Sequence, residues 1–327
     1  MVKSQGNVPS ITTAREANSP RIDSSAVSVV IPCRNEQATI GQVVRRIGEI
    51  LPDAEILVVD NASTDETARE ARAAGARVVV ESRPGKGFAL STGFEAARDA
   101  DYYVMLDGDD TYPADEVVNL LAAAAETGFD MVVGTRLASR EPGAFRPGHT
   151  LGNQLFVGLV RMLFGIRTDD LFSGYRVLTR RFLAIAPLVA EGFDIEAELT
   201  ISARVHGFQV VEIPVAYRAR PPESSSKLHT YKDGFRILRG VMILFRDYRP
   251  LVFFGWLAAV LAVGSLWSGR APVEDYFSTG LVRYVPRAIL AATMGLSAIL
   301  SLFVGVLLSS INRRAEQLAA LIRKRSG

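Results

Sequence analysis

The segment Val104-Met105-Leu106-Asp107-Gly108-Asp109-Asp110 runs from an apolar stretch into three carboxylates. Burying that much negative charge without a partner is costly. A hard divalent cation such as Mg2+ or Mn2+, held between carboxylates and diphosphate oxygens, is the usual compensation. Gly108 lets a ligand come close to the backbone. A solvated acidic turn is the plain alternative for an Asp-x-Asp taken alone. Two other apolar runs end in the same way. Val58-Val59 ends in Asp60-Asn61, where a carboxylate can take ribose hydroxyls or the edge of a base, and Ile31-Pro32 ends in Cys33-Arg34-Asn35-Glu36. Gly85-Lys86-Gly87 is too short for a Walker loop and lacks its Lys-Ser/Thr. It reads either as a tight turn opening a helix or as a lysine brought near a nucleotide.

These polar groups need elements that deliver them to one place. From Ala26 to about Val215 strand-like and helix-like segments alternate. Val27–Pro32, Ile56–Val59, Arg77–Val80, Tyr102–Leu106 and Met131–Gly134 are short runs rich in Val and Ile, as buried strands are. Ala38–Leu51, a segment ending near Ala74 and capped by Ser63 or Thr64, Phe88–Ala97 and Ala114–Ala125 have helical spacing. Strands separated by helices predict an α/β fold, a mostly parallel sheet with helices on both faces. Ligands of such sheets bind beyond the carboxyl ends of the strands, where the acidic residues fall.

The chain has 327 residues, 48% of them hydrophobic, and a net charge of +2. Such a charge selects no nucleic acid. The single cysteine, Cys33, excludes an intrachain disulfide and a thiolate zinc site, and suits a reducing compartment. Residues 1–25 are polar, lack an apolar signal region and read as a disordered tail. The apolar excess lies at the other end. Leu251–Gly269 and Ala288–Asn312 carry no charge and run for about 19 and about 25 residues, near the ~20 that a spanning helix needs. Arg246 and Arg249 precede this pair; Arg313, Arg314, Arg323, Lys324 and Arg325 follow it. Positive flanks mark the cytoplasmic side. The expectation is a cell-membrane protein with a two-span hairpin over 250–312, its ends cytoplasmic, joined by a loop from Arg270 to Arg287. Before it, Tyr231–Tyr248 alternates Phe235, Ile237, Leu238, Val241, Met242 and Leu244 with arginines, predicting an interfacial amphipathic helix over 231–249 or a plain packing helix.

Several ordered motifs carry a resemblance. They are Ile31-Pro32-x-x-Asn35-Glu36, Val59-Asp60-Asn61-x-Ser63-x-Asp65, Gly85-Lys86-Gly87, Asp107-Gly108-Asp109, Asp170-x-x-Ser173-Gly174-Tyr175-Arg176, Glu212-Ile213-Pro214-Val215 and Ser226-Lys227-Leu228. With them the chain resembles glycosyltransferase family 2, of GT-A fold, and more closely its dolichyl-phosphate mannose synthase and bacterial polyprenyl-phosphate branch. The resemblance implies that Pro32, Arg34, Glu36 and Asp60 line a nucleotide pocket, with Lys86 and Gly108 beside it. It implies a metal and diphosphate at Asp107 and Asp109, phosphate at Arg136, and acceptor phosphate at Arg146 and Thr150. Asp110-Thr111 stands where the mannose synthases carry a Gln, which leaves the donor sugar open.

The implied reaction moves a hexose from a UDP- or GDP-sugar to a polyprenyl phosphate, with inversion. A phosphate acceptor calls for cations, and Arg146, Lys227 and Arg218 or Arg220 suit it. Asp170, Glu196 and Glu198 are candidates for orienting the sugar or those cations. Glu196 and Glu198, two apart on one helix, do not share a face, and a solvated charge is the alternative for each. His149, His206 and His229 read as bystanders. Two other functions stay open: transfer to a hydroxyl of another lipid or a polysaccharide, and a membrane nucleotide-sugar binding protein without turnover. A homo-oligomer is also open.

Overall fold

The computed structural model describes residues 23–140, 149–186, 188–192, 194–220 and 230–326. Four Val- and Ile-rich strands lie parallel: β1 (Val27–Cys33), β2 (Glu55–Asn61), β3 (Arg77–Glu81) and β4 (Tyr102–Met105). Three more complete the sheet: β5 (Met131–Arg140), β6 (Arg176–Thr179) and β7 (Val210–Tyr217). The order is β3-β2-β1-β4-β6-β5-β7, with β6 antiparallel to both its neighbours and β5 parallel to β7. β5 continues six residues past the Gly134 at which the sequence pattern stops, so Arg136 lies inside the strand.

The helices are α1 (Ile40–Ile50), α2 (Thr67–Ala73), α3 (Lys86–Ala96), α4 (Glu116–Thr127), α5 (His149–Phe164), α6 (Arg180–Leu183), α7 (Ile195–Val205), α8 (Thr230–Tyr248), α9 (Pro250–Thr279) and α10 (Val285–Ser326). Alternation along β1 sends Val27, Val29 and Ile31 to one face, against Ile40, Val44 and Ile47 of α1 and Leu120 and Leu121 of α4. Val30 points to the other face, with Ala89 and Leu90 of α3 and Ile195 and Leu199 of α7. Each fully buried aliphatic chain of this kind contributes ~1.5–3 kcal/mol. Helices cover both faces of the sheet, as expected from the alternating pattern.

α8 spends its apolar stripe differently from a free interfacial helix. Ile237, Val241, Leu244 and Phe245 are buried against Val160 and Phe164 of α5 and Ala197 and Ile201 of α7. Phe235, Leu238 and Ile243 of the same helix remain exposed. The hairpin is longer than the uncharged runs. α9 and α10 meet in a turn of residues 280–284 alone, so most of the expected loop from Arg270 to Arg287 is helical. Arg270 pairs with Glu274 at 2.7 Å one turn on, and Gly280, at φ 72°, ends α9. Asp275 accepts from the backbone and guanidinium of Arg283, which closes the turn. Both helices are long and apolar enough to cross a membrane. Trp256, Leu266 and Trp267 point outward from them. At the other terminus Ser24–Ala26 forms a 3-10 turn, with the Asp23 carboxylate accepting from Ser25 N, so the expected tail gives way to structure by residue 23.

Candidate active site

The strand register places the polar ends together. Cys33 of β1 lies beside Asp60 of β2, and Asn61 lies beside Glu81 of β3. Met105 of β4 faces Arg176 of the antiparallel β6, so the turn before β6 meets the same edge. Glu36, Asp60, Asp107, Asp109, Arg136 and Asp170 therefore collect at the carboxyl edge of the parallel strands.

The β1 and β2 loops are laced to each other. Asn35 N donates to Ser63 Oγ at 3.0 Å, and Asn35 Oδ1 accepts from Thr64 N at 2.7 Å. Glu36 N donates to Thr67 Oγ1 at 2.8 Å. Ser63 and Thr64 thus bind the neighbouring loop and do not cap α2, as had been expected of them. The cap position falls to Glu66, whose side chain makes no capping bond, and Asp65 just before it accepts from Thr67 N at 3.0 Å. Asp60 is buried and accepts from Ser63 N at 3.3 Å. Pro32 is half-buried and Arg34 exposed at the same rim.

Lys86 is held by the fold itself. A Cβ on Gly85 or Gly87 would collide with the backbone oxygens of Glu191 and Ala190, so both glycines are needed for that close approach. The Lys86 ammonium then lies 2.6 Å from Asp107 and 2.6 Å from Glu196 of α7. Burial alone would lower its pKa, but the two carboxylates hold it raised. Burial pushes the Glu196 carboxyl up, against the pull of Lys86, and its Oε2 is buried without a hydrogen-bond partner. Glu198 turns the other way and accepts from Val189 N at 3.1 Å and Ala190 N at 2.8 Å. Of the two glutamates one faces the site, as the two-residue spacing requires. Neither is solvated, because α7 is buried along its length.

The acidic run is equally well occupied. Thr39 Oγ1 donates to Gly108 O at 2.7 Å, and a Cβ on Gly108 would strike Cys33 Sγ. Asp109 Oδ1 accepts from Thr111 N at 3.1 Å and Thr111 Oγ1 at 2.6 Å, while its Oδ2 accepts from Arg220. Asp110, at φ 56°, faces Arg46 at 3.4 Å; burial raises its pKa against Arg46 and Arg218. Arg218 is half-buried, and its backbone N donates to Thr111 O at 2.9 Å.

Arg136 and Asp170 form a buried two-bond pair, Nε to Oδ2 and Nη2 to Oδ1, each at 2.7 Å. Burial works to raise Asp170, but Arg136 keeps it lowered. Arg176 is fully buried and donates to Ser173 O, Leu171 O and Thr200 Oγ1, which shapes the turn from residue 171 to 175. Tyr112 closes the other side of that turn, its hydroxyl accepting from Gly174 N at 3.0 Å. Tyr112 was not singled out from the sequence alone, and Arg176 stood there only as a motif member without a role. The Asp170-to-Arg176 motif contained the signal for Arg176, since a charged residue at the start of a short strand needs a structural reason. His206 Nδ1 donates to Ser202 O, 2.8 Å away, and the ring stays outside the site. Arg146, Lys227 and His229 lie outside the described residues, and of Thr150 and His149 only the helical backbone is described.

Among the described residues no three His, Cys, Asp or Glu side chains are set to hold a metal by themselves. Mg2+ is commonly held by one or two carboxylates together with substrate phosphates, and the hard oxygens of Asp107 and Asp109 fit that description. Gly174 supports the fit, because a Cβ there would fill the space beside Asp107 Oδ2. Lys86 and Arg220 show that both carboxylates attract cations.

A family model described as glycosyl transferase family 2 matches residues 28–184. The chain is 35% identical over 230 residues to glycosyltransferase AglJ of Haloferax volcanii, across 70% of this chain and 75% of that one. It is 31% identical over 217 residues to a dolichyl-phosphate hexose transferase of the same organism, across 66% and 92%. It is 32% identical over 213 residues to polyprenol monophosphomannose synthase of Mycolicibacterium smegmatis, across 59% and 77%. Glucosyl-3-phosphoglycerate synthase of Mycobacterium tuberculosis, solved with UDP, superposes with a TM-score of 0.57 at 23% identity, over 72% of this chain and 86% of that one. The same enzyme solved with Mn2+, UDP and phosphoglyceric acid gives 0.55 at 24%, over 68% and 81%. At such identity the likeness is one of fold, the GT-A arrangement.

Proposed function

We propose that this chain, which belongs to glycosyltransferase family 2, transfers a hexose from a nucleoside diphosphate sugar to the phosphate of a polyprenyl lipid at the cytoplasmic face of the cell membrane. One observation carries the reading: a single chain joins an acidic site at the carboxyl edge of its sheet to two helices of membrane-spanning length. The relatives named for dolichyl-phosphate and polyprenol substrates support it. The arginines flanking the hairpin support the cytoplasmic side. A polyprenyl chain leaves the bilayer at high cost, so its phosphate must be met at the interface.

The acceptor phosphate, with a second pKa of ~6, is largely dianionic near neutral pH and needs no general base. Its oxygen bonds to the anomeric carbon as the bond from that carbon to the diphosphate breaks. The electron pair leaves with the diphosphate, and the configuration inverts. Asp107 and Asp109 would hold Mg2+ or Mn2+, which when bound supplies neutralising charge for the leaving diphosphate. Lys86, itself held by Glu196, fixes the Asp107 carboxylate, and Asp170 fixes the Arg136 guanidinium. Pro32, Arg34, Glu36 and Asp60 would take the nucleoside. Arg146, Thr150, Arg218 and Lys227 would take the acceptor phosphate.

The test is a panel of UDP- and GDP-sugars with a labelled polyprenyl phosphate and the full-length protein in detergent. A glycosyl phosphate lipid is the expected product. A second reading, transfer to a hydroxyl, is favoured by Glu196 alone, a buried carboxyl with raised pKa and an unpartnered oxygen, as a general base has. Activity with diacylglycerol or ceramide, and none with polyprenyl phosphate, would establish it instead.

A further inference from the structure

Both carboxylates of the Asp107–Asp109 pair already hold a cation of the chain itself, and the two cations are held differently. Lys86 is built in: its side chain is only 11% exposed, shared with Glu196 and locked by the backbone against Gly85 and Gly87. Arg220 comes from the chain just beyond β7 and keeps 28% of its side chain exposed. Its Nη2 lies on Asp109 Oδ2, and its Nη1 is 3.6 Å from Glu36 Oε1. The other oxygen of Asp109 is committed to the backbone and hydroxyl of Thr111. An added cation must therefore use the oxygen that Arg220 covers.

We propose that Arg220 is the resident counter-ion of Asp109 and Glu36 and is exchanged for the divalent cation that arrives with the donor. The inference rests on the metal reading given above. A guanidinium and a divalent cation repel each other and compete for the one carboxylate oxygen. The backbone need not move, because Arg218 N stays bonded to Thr111 O at 2.9 Å, two residues before Arg220. The exchange releases the guanidinium from Asp109 and Glu36 at the moment the donor is loaded, and a guanidinium fork matches a phosphate monoester. Donor and acceptor sites are then coupled, and the coupling is reciprocal: whatever draws Arg220 away tightens metal binding by the same factor.

Mn2+ alone, without nucleotide, is the probe, its free concentration read by electron paramagnetic resonance against the full-length protein in detergent. Arg220→Gln should bind Mn2+ more tightly by on the order of tenfold, the loss of one charge-assisted competitor. Arg220→Met should do the same and serves if the Gln variant does not fold; Arg220→Lys should stay near the parent. Arg46→Gln removes equal charge from the neighbouring Asp110 and should change the affinity far less. Equal Mn2+ affinity in the parent and in Arg220→Gln or Arg220→Met overturns the exchange, and so does equal tightening in Arg46→Gln. If no protein of the set binds Mn2+, the metal reading fails and takes this inference with it.

Discussion

Gly174→Ala separates the placement of Asp107 from the stability of the fold. Gly174 has no positive φ, so alanine meets no backbone strain there. Its added Cβ, however, would lie 2.3 Å from Asp107 Oδ2, 2.7 Å from Cγ and 2.9 Å from Oδ1, where ordinary contact begins at 3.4 Å. The carboxylate must recede by about 1 Å, and a displacement of that size costs on the order of a hundredfold in rate even when the chemistry is otherwise intact. Asp107 cannot recede freely, because Oδ1 is tied to Lys86 at 2.6 Å. The fold should suffer only the ~1–3 kcal/mol typical of one extra carbon in a packed site. Transfer with saturating donor and acceptor, measured beside a melting curve and nucleoside diphosphate affinity, should show kcat down about a hundredfold, with nucleotide affinity, which the proposed site assigns to Asp60, changed by a few-fold at most. Near-parental kcat would show that Asp107 need not sit where it does. Loss of nucleotide affinity equal to the loss of rate would show that Gly174 supports the nucleoside pocket.

Lys86→Met leaves Asp107 and Glu196 facing each other unpaired and should destabilise the protein by about 3–5 kcal/mol. With the ammonium gone the folded-state pKa of Glu196 rises further above its unfolded value, so the deficit should shrink as pH falls, read from melting temperatures across pH. Asp109→Asn and EDTA treatment should each abolish transfer while circular dichroism stays unchanged; full activity in either case removes the metal from Asp109. The Glu81 carboxyl is held down to about 2 by bonds from the Arg83 side chain, Thr92 and Arg83 N. Its stabilisation is complete above its ordinary 4.5 and is lost as pH falls through about 2, so the advantage of the parent over Glu81→Gln should narrow on acidification. A chain ending after Asp247 should keep nucleoside diphosphate affinity, because the residues proposed to bind it, Asp60, Asp107 and Asp109, all precede that point, and calorimetry decides it.

The strands that deliver the site were legible because their Val and Ile runs end abruptly in charge. β6 was harder: Arg176-Val177-Leu178-Thr179 is too short to show a period and begins with a charged residue that turns out to be fully buried. The motifs named most of the polar groups at the site but not their partners. Arg136 meets Asp170 across 34 positions and Arg220 meets Asp109 across 111, and no local pattern specifies such pairs. The amphipathic stripe of α8 was visible, yet periodicity does not say what it packs on. Protein fills Ile237, Val241 and Leu244, and leaves Phe235 and Leu238 outward. The hairpin loop was overestimated because charge at Arg270, Glu274 and Asp275 reads as the end of an apolar run, whereas a helix carries such residues past the hydrocarbon without breaking.

The membrane hairpin is joined to the site by packing as well as by sequence. α7 directs Glu196 toward Lys86 and buries Ala197 and Ile201 against α5 and α8. One residue, Arg249, separates α8 from α9, and its guanidinium donates to Phe164 O at the end of α5, 3.4 Å away. Phe245 of α8 and Phe253 of α9 meet edge to face at 5.8 Å, and Asn312 of α10 donates to Asp247 O at 2.6 Å. A flexible linker would let the catalytic edge sample many heights above a bilayer. Here the helix that bears a carboxylate of the site rests on the helix that turns into the first apolar span. The acidic edge is thereby held at a set distance from the spans, and the exposed Phe235 and Leu238 lie on the helix nearest them. For the lipid acceptor proposed above, the entropy of finding it at that interface would be largely met by the fold before any substrate arrives.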